Sequence, residues 1–157
     1  MSVLTVGETM VLLDPVGDAI AAGTTFTLRV AGAESNVGIA LARLGVEVTW
    51  ISRLGADPFG DIVYETLAAE GLSLRWVQRD ESRPTGMYFK NRSGVGSGVF
   101  YYRAGSAASA LKPADVPDEA FDGVELVHLT GITMALGEDL KRPHDHILPL
   151  AELQLPS

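Results

Sequence analysis

The feature that most constrains the fold is a strand that looks buried, followed directly by a helix with both ends marked in the sequence. "VEVTWIS" (46–52) is β-branched and aromatic and becomes apolar on both sides, which is typical of a strand covered on two faces. In "GADPFGDIVYETLAAEG" (55–71), Asp57 is the expected cap, Pro58 takes the first helical position, and Gly71 follows the end. This succession predicts an α/β layer with a parallel sheet.

A second helix is predicted within "AGAESNVGIALARLG" (31–45), where a polar group precedes the apolar rhythm. Gly32 and Ala33 would let the backbone approach a ligand without a Cβ barrier, and the Asn36 amide can both donate and accept hydrogen bonds. The alternative is that Ser35 or Asn36 only caps the helix. The stripe predicted to face the core consists of Val37, Ala40, Leu41 and Leu44.

The middle of the chain changes character. Residues 74–103 are rich in aromatic and β-branched residues split by turn clusters, which predicts antiparallel strands inserted into the α/β pattern. The glycine-rich segment 93–98 is interpreted as a hairpin tip and not as a phosphate loop, because no Lys-Ser or Lys-Thr follows it. Other predicted strands cover 3–6, 11–13, 25–30 and 124–132.

Charge and composition narrow the classes of partner. The 157 residues carry a net charge of -8, which argues against nucleic acid or an anionic membrane as the main partner. No segment approaches the ~18 apolar residues of a membrane span, and the first residues lack the basic region of a signal peptide. The expected location is therefore cytoplasmic. The absence of cysteine excludes disulfides and thiolate metal sites, and no other metal site is predicted.

Five segments occur in an order that resembles the N-terminal half of PfkB-type, ribokinase-like carbohydrate kinases. They are "AGAESNVGIALARLG", "RLGADPFG", "PTGMYF", "VFYYRAGSAASAL" and "VHLTGI", and within that family they are most similar to 2-keto-3-deoxygluconate kinases. The resemblance implies a parallel central sheet flanked by helices, with a small inserted β-sheet lid and the C-terminal half missing. Residues 1–136 would form this partial domain, with lid strands near 24–31 and 74–103, and 137–157 would be a divergent tail.

The same resemblance assigns sugar contacts to the start of the first helix and to the lid. In such kinases the glycine-rich entry contacts sugar hydroxyls, which implicates Gly32, Ala33 and Asn36. Tyr88, in "GMYF", is similar to a lid tyrosine that contacts the substrate. The alternative for Tyr88 is packing within the lid core.

Arg103 and Tyr101 are the remaining candidates. Alternation along a strand would place both on one face, with Tyr102 on the other. The planar fork of arginine suits a carboxylate, so a sugar acid is favoured over a neutral sugar. The alternative is that Arg103 pairs with a surface carboxylate of this acidic protein.

No segment of the chain resembles the block that carries the catalytic aspartate in this family. ATP and Mg²⁺ are expected for the full-length family, with no cofactor and no catalytic residue in this chain. We therefore expect the substrate-binding and lid half of a sugar kinase, inactive alone. A non-catalytic carbohydrate-binding module and a truncated product are the alternatives. The expected partners are a small sugar or sugar acid and further copies of the chain, associating through lid strands or an exposed sheet edge.

Overall fold

The computed structural model describes residues 1–92 and 98–136, with backbone alone for 134–136. Most of the predicted hairpin tip and the whole predicted tail lie outside these residues. Three short 3-10 helices occupy Ala108–Ala110, Pro113–Asp115 and Asp118–Phe121. The other elements are β1 (Ser2–Val6), β2 (Met10–Pro15), β3 (Phe26–Ala31), α1 (Ala33–Arg43), β4 (Glu47–Ile51), β5 (Arg53–Gly55), α2 (Pro58–Ala69), β6 (Gln78–Asp80), β7 (Met87–Asn91), β8 (Gly98–Tyr102), β9 (Leu126–His128) and α3 (Gly131–Leu136).

One sheet, which we call the body sheet, has the strand order β4-β1-β9 and is parallel throughout. Alternate side chains of β1 point to opposite faces, so Val3 and Leu4 enter different apolar clusters. The Val3 face is covered by α1 and α2, and the Leu4 face by the segment that carries the 3-10 helices. The predicted α/β class with a parallel sheet is confirmed.

The second helix of the chain, α2, begins and ends as its sequence predicts. The Asp57 carboxylate accepts a hydrogen bond of 2.8 Å from the Gly60 amide, and Pro58 is the first helical residue. Gly71, just beyond the end, has a φ of 85°. On the inner face of α2, Val63 and Leu67 are fully buried and Phe59 packs against the same core.

The stripe predicted for α1 is wrong at three of its four positions, and Leu41 alone among them packs against the core. Ala40 is exposed, as are Val37 and, to 79%, Leu44. The buried residues of α1 are instead Glu34, Ser35 and Gly38. A Cβ on Gly38 would lie 3.1 Å from Leu72 and 3.3 Å from Val48, so the helix backbone itself lies against the core. A glycine contact of this kind has no apolar side chain, so hydrophobic periodicity misplaces it.

The other main sheet, which we call the lid sheet, has the strand order β3-β2-β7-β8. Strand β2 pairs antiparallel with β3 and parallel with β7, and β7 and β8 form an antiparallel hairpin. Strand β6 is not part of this sheet and pairs with β5 instead. The small inserted sheet expected from the sequence is therefore present, and β2 is one of its two central strands.

Candidate functional site

The chain crosses between the body sheet and the lid sheet at several points, and we call this region the joint. Glu8 lies in the crossing from β1 to β2, and Gly32 between β3 and α1. Gly86 directly precedes β7, and Arg103 directly follows β8. Because β1 belongs to the parallel sheet, Glu8 stands at the carboxyl end of a parallel strand, where open α/β sheets bind ligands.

The Glu8 carboxylate is enclosed at the joint and has a different partner for each oxygen. Ser106 Oγ donates a hydrogen bond of 2.7 Å to Oε1, and Arg103 Nη2 lies 2.5 Å from Oε2. The Glu8 side chain is 1% exposed and that of Arg103 is 26% exposed. Burial raises the pKa of Glu8, an effect that Ser106 and Arg103 oppose and the nearby Glu34 carboxylate reinforces. The carboxylate that pairs with Arg103 is thus buried and not on the surface.

Two glycines let neighbouring segments come close to Glu8. A Cβ on Gly86 would lie 2.7 Å from Glu8 Oε1 and 3.5 Å from Arg103 Cβ. A Cβ on Gly32 would overlap the carbonyl oxygen of Glu8 and lie 2.7 Å from Thr9 Oγ1. The entry of α1 and the arginine after β8 therefore contact the same short segment, Glu8 and Thr9, from different sides.

The polar group at the entry of α1 does not cap the helix with a side chain. Gly32 is the N-cap residue, with an extended backbone and no side-chain cap, so the capping alternative is wrong. Ser35 is buried, and its Oγ accepts a hydrogen bond of 2.7 Å from Thr9 Oγ1. Ala33 is half-buried, and Asn36 is exposed in the first turn. The Asn36 side chain is therefore accessible to a ligand.

The two predicted lid tyrosines contact each other. Their rings, on Tyr88 and Tyr101, stack with centroids 5.6 Å apart. Tyr88 is buried with Met10 and Leu12, and burial raises its pKa. Tyr101 is 57% exposed. Tyr102 packs against Phe89 on the opposite face, as strand alternation predicts. Tyr88 thus has the packing role considered as its alternative, while the side chain of Tyr101 remains accessible.

A second buried carboxylate, Glu34, lies behind the α1 entry and connects it to the segment after β9. Its Oε1 accepts a hydrogen bond of 2.5 Å from Thr130 Oγ1 and another from Thr133 Oγ1. Within the described part of the chain, Oε2 has no hydrogen-bond partner. A Cβ on Gly7 would overlap this carboxylate, so any larger residue there would displace the Glu34 side chain. These contacts fix the start of α1 against the carboxyl ends of β1 and β9.

Glu8 and Glu34 were missed by the sequence reasoning, although each left a signal. Glu8 is a charged residue between two apolar strand segments, at the carboxyl end of the first. Glu34 lies at the start of a helix, where the helix dipole stabilises a carboxylate. Neither signal is periodic, so neither appears in a search for amphipathic elements.

Residues 1–92 and 98–136 contain no group of three or more His, Asp or Glu side chains placed to hold a metal ion. None of the helices within these ranges has both the length and the apolar character needed to cross a bilayer.

The sequence profile of the pfkB family carbohydrate kinases matches residues 1–144. This chain belongs to the pfkB carbohydrate kinase family. The match extends past residue 136, beyond which a divergent tail was predicted. Among curated pfkB relatives, the 2-dehydro-3-deoxygluconokinase of Bacillus subtilis is 38% identical over 127 residues, covering 80% of this chain and 39% of that protein. The 2-dehydro-3-deoxygluconokinase of Thermoproteus tenax is 35% identical over 146 residues, covering 90% and 45%.

A solved pfkB structure supports the same assignment. The crystal structure of the 2-dehydro-3-deoxygluconokinase of Thermotoga maritima superposes with a TM-score of 0.88 at 32% identity. The overlap covers 98% of this chain and 48% of that one. The chain therefore spans about half the length of the relatives it matches, and the ribokinase-like fold expected from the sequence is confirmed for that half.

Proposed function

We propose that this chain is the substrate-binding and lid half of an ATP-dependent sugar kinase acting on a sugar acid such as 2-keto-3-deoxygluconate. The observation that carries the proposal is the position of Arg103. Its guanidinium is paired with Glu8 at the joint, and Gly32 at the α1 entry contacts the same segment. Arginine binds a carboxylate with strong, charge-assisted hydrogen bonds. The names of the B. subtilis and T. tenax relatives designate a substrate with such a carboxylate.

The other proposed contacts come from the α1 entry and from the lid sheet. The exposed amide of Asn36 can donate to one sugar hydroxyl and accept from another. Gly32 and Ala33 would contribute backbone groups, and the side-chain space at Gly32 is already filled by Glu8 and Thr9. From the lid sheet, Tyr101 supplies an accessible phenol, and Tyr88 supports its ring by stacking. The ligand would thus lie between the α1 entry and the lid.

We propose that the chain does not catalyse phosphoryl transfer by itself. Family resemblance implies that ATP, Mg²⁺ and the aspartate base act together, and this reaction depends on positioning and charge stabilisation. The chain spans 39% and 45% of the two curated relatives, and no catalytic residue is assigned to it. We assign the nucleotide site and the aspartate to the part of the relatives that this chain does not cover.

Calorimetric titration with 2-keto-3-deoxygluconate, ribose and fructose, beside an ATP-turnover assay, tests the proposal. Binding of the acid without turnover supports it. Turnover by the chain alone would contradict its assignment as an incomplete kinase. Tight binding of the neutral sugars but not of the acid would favour a carbohydrate-binding module of another specificity, and no binding would favour a truncated product without a ligand.

A matched pair of variants measures the contribution of Arg103 to binding of the acid. In Arg103→Gln, affinity for the acid should fall about 10- to 150-fold, since a hydrogen bond to a charged group contributes roughly 1.5–3 kcal/mol. Arg29→Gln is the control, because Arg29 is an exposed arginine on the lid sheet that pairs with Asp14. Equal affinities in the two variants would remove Arg103 from the site.

A further inference from the structure

The buried carboxylate of Glu8 forms an ion pair with Arg103 at the joint. Its Oε2 is 2.5 Å from Arg103 Nη2, and its Oε1 is fixed by the hydroxyl of Ser106. Ser106 is itself buried, and its backbone amide donates to the Arg103 carbonyl at 3.0 Å. The arginine, the serine and the carboxylate therefore form one closed group of contacts.

The position of Glu8 is in turn determined by both sheets. The preceding residue, Gly7, donates its amide to the carbonyl of Ile51 in β4 at 3.2 Å. Gly86, at the start of the lid hairpin, approaches Glu8 so closely that a Cβ there would lie 2.7 Å from Oε1. The buried carboxylate is therefore enclosed between a segment bonded to the body sheet and the start of the lid hairpin.

We propose that Glu8 is a positioning residue for Arg103, so that the carboxylate of the ligand meets a guanidinium that is already in place. The inference rests on the proposed function and adds a residue to its site. Glu8 does not contact the ligand, because its side chain is 1% exposed, so it acts through Arg103. Without Glu8, a long side chain would have to be ordered upon binding, which weakens affinity about 2- to 12-fold.

The first test needs no ligand. The guanidinium N–H signals of Arg103 are compared by NMR in the unaltered chain, in Glu8→Gln and in Glu8→Ala. Restricted rotation of the guanidinium in the unaltered chain, progressively lost in the two variants, supports the inference. The inference would be overturned if, in all three proteins, the Arg103 guanidinium rotated as freely as those of exposed arginines. Glu8→Gln is close in shape to the original residue, which keeps the test valid if Glu8→Ala unfolds.

Glu70→Gln is the matched control for both tests. Glu70 accepts two hydrogen bonds from Arg43, in an exposed pair formed by the C-terminal ends of α1 and α2. This variant should change the Arg43 signals and leave the Arg103 signals unaltered. A change at Arg103 of the size seen in Glu8→Gln would mean that loss of any acidic partner loosens the arginines, and would overturn the specific role of Glu8.

The second test measures selectivity. The ratio of affinities for 2-keto-3-deoxygluconate and fructose should fall about 2- to 12-fold in Glu8→Ala and less in Glu8→Gln, with no fall in Glu70→Gln. An unchanged ratio would overturn the inference, and a raised ratio would do so by showing that Glu8 acts by repelling the acid. If the unaltered chain binds no acid, the proposed function fails, and the NMR comparison alone decides whether Glu8 positions Arg103.

Discussion

The ring of Tyr101 lies against the ring of Tyr88 at an interplanar angle of 29°, with 5.6 Å between centroids, across the β7–β8 hairpin. The two residues are directly paired in the register of the hairpin. A buried aromatic residue therefore supports an accessible one, and the contact couples lid stability to the candidate site.

This stacking predicts a separation of stability from binding at Tyr101. Tyr101→Ala should lower the free energy of unfolding by about 0.5–1.5 kcal/mol, because the stacked pair is lost. Tyr101→Phe keeps the ring and should unfold as the original does, while losing about 2- to 12-fold in sugar affinity with the hydroxyl. Urea unfolding and calorimetry measure the two effects. Unchanged sugar affinity in the phenylalanine variant would contradict the proposed contact.

The buried Glu8 predicts an unusual pH dependence of stability. Burial raises the pKa of Glu8 in the folded chain above the ordinary value of 4.5. At a pH between 4.5 and the pKa of the folded state, the folded chain therefore binds more protons at this site than the unfolded chain. Its contribution to stability is therefore fully present below about pH 4.5 and declines as the pH rises through the folded pKa. In thermal unfolding, the stability of the original relative to Glu8→Gln should decrease as the pH rises. The opposite trend would contradict the raised pKa.

Asp80 predicts the reverse dependence. Hydrogen bonds from Ser82 and the ion pair with Arg53 lower the pKa of Asp80 to about 2. Its contribution is present above the unfolded value of 3.8 and is lost as the pH falls through about 2. Asp80→Asn should cost about 1.5–3 kcal/mol at neutral pH, a difference that shrinks in acid.

Asp61→Asn is the control for Asp80. The Asp61 side chain is 63% exposed and pairs with Arg79 on the surface, where an ion pair contributes about 0–1 kcal/mol. Chemical unfolding of both variants between about pH 2 and pH 7 makes the comparison. Equal losses at neutral pH would mean that the buried position of Asp80 adds nothing.

Two glycines of the α1 region should respond oppositely to alanine. Gly32→Ala places a Cβ against the carbonyl oxygen of Glu8, so the helix entry must move and both stability and sugar affinity should fall. The Cβ of Gly38→Ala meets side-chain carbons of Leu72, Val48 and Thr5 and no backbone atom among its nearest neighbours, and alanine favours a helix by about 1 kcal/mol over glycine. That variant should be as stable as the original or more stable, by less than about 1 kcal/mol. Thermal unfolding that ranks the two variants the other way would contradict these contacts.

Association of copies through the lid sheet is a further prediction. Phe100 is 49% exposed on the edge strand β8, beside the exposed ring of Tyr102. An apolar edge strand favours pairing with another chain. The original should sediment as a dimer or larger species, and Phe100→Lys should shift it towards monomer. Leu44→Lys, at the exposed end of α1, should leave the assembly unchanged, and a monomeric original would refute the prediction.

The sequence predicted α2 well because its limits are set by local chemistry. Asp57, Pro58 and Gly71 act within one turn of the helix ends, so their effect is visible in a short window. The burial of α1 was mispredicted, because Glu34 and Ser35 are buried through hydrogen bonds to residues of distant segments. Partners that the fold brings together from 26 and 96 positions away have no signal in local periodicity.

The candidate site shows the same division. The ordered set of motifs suggested that the α1 entry and Arg103 belong to one site, and this stays a prediction. The residue that lies between them, Glu8, could not be chosen among the 20 acidic residues of the chain without coordinates. Its role depends on a serine 98 positions later in the sequence.

The location of the joint has a mechanical consequence. Any hinge motion of the lid against the body has to be absorbed by torsions in the crossings that carry Glu8, Gly32, Gly86 and Arg103. Because Glu8 lies in one of these crossings and Arg103 directly follows the last strand of the lid sheet, a change in the angle between the two sheets would act on their ion pair. Under the proposed function, the orientation of the lid and the orientation of Arg103 would therefore change together.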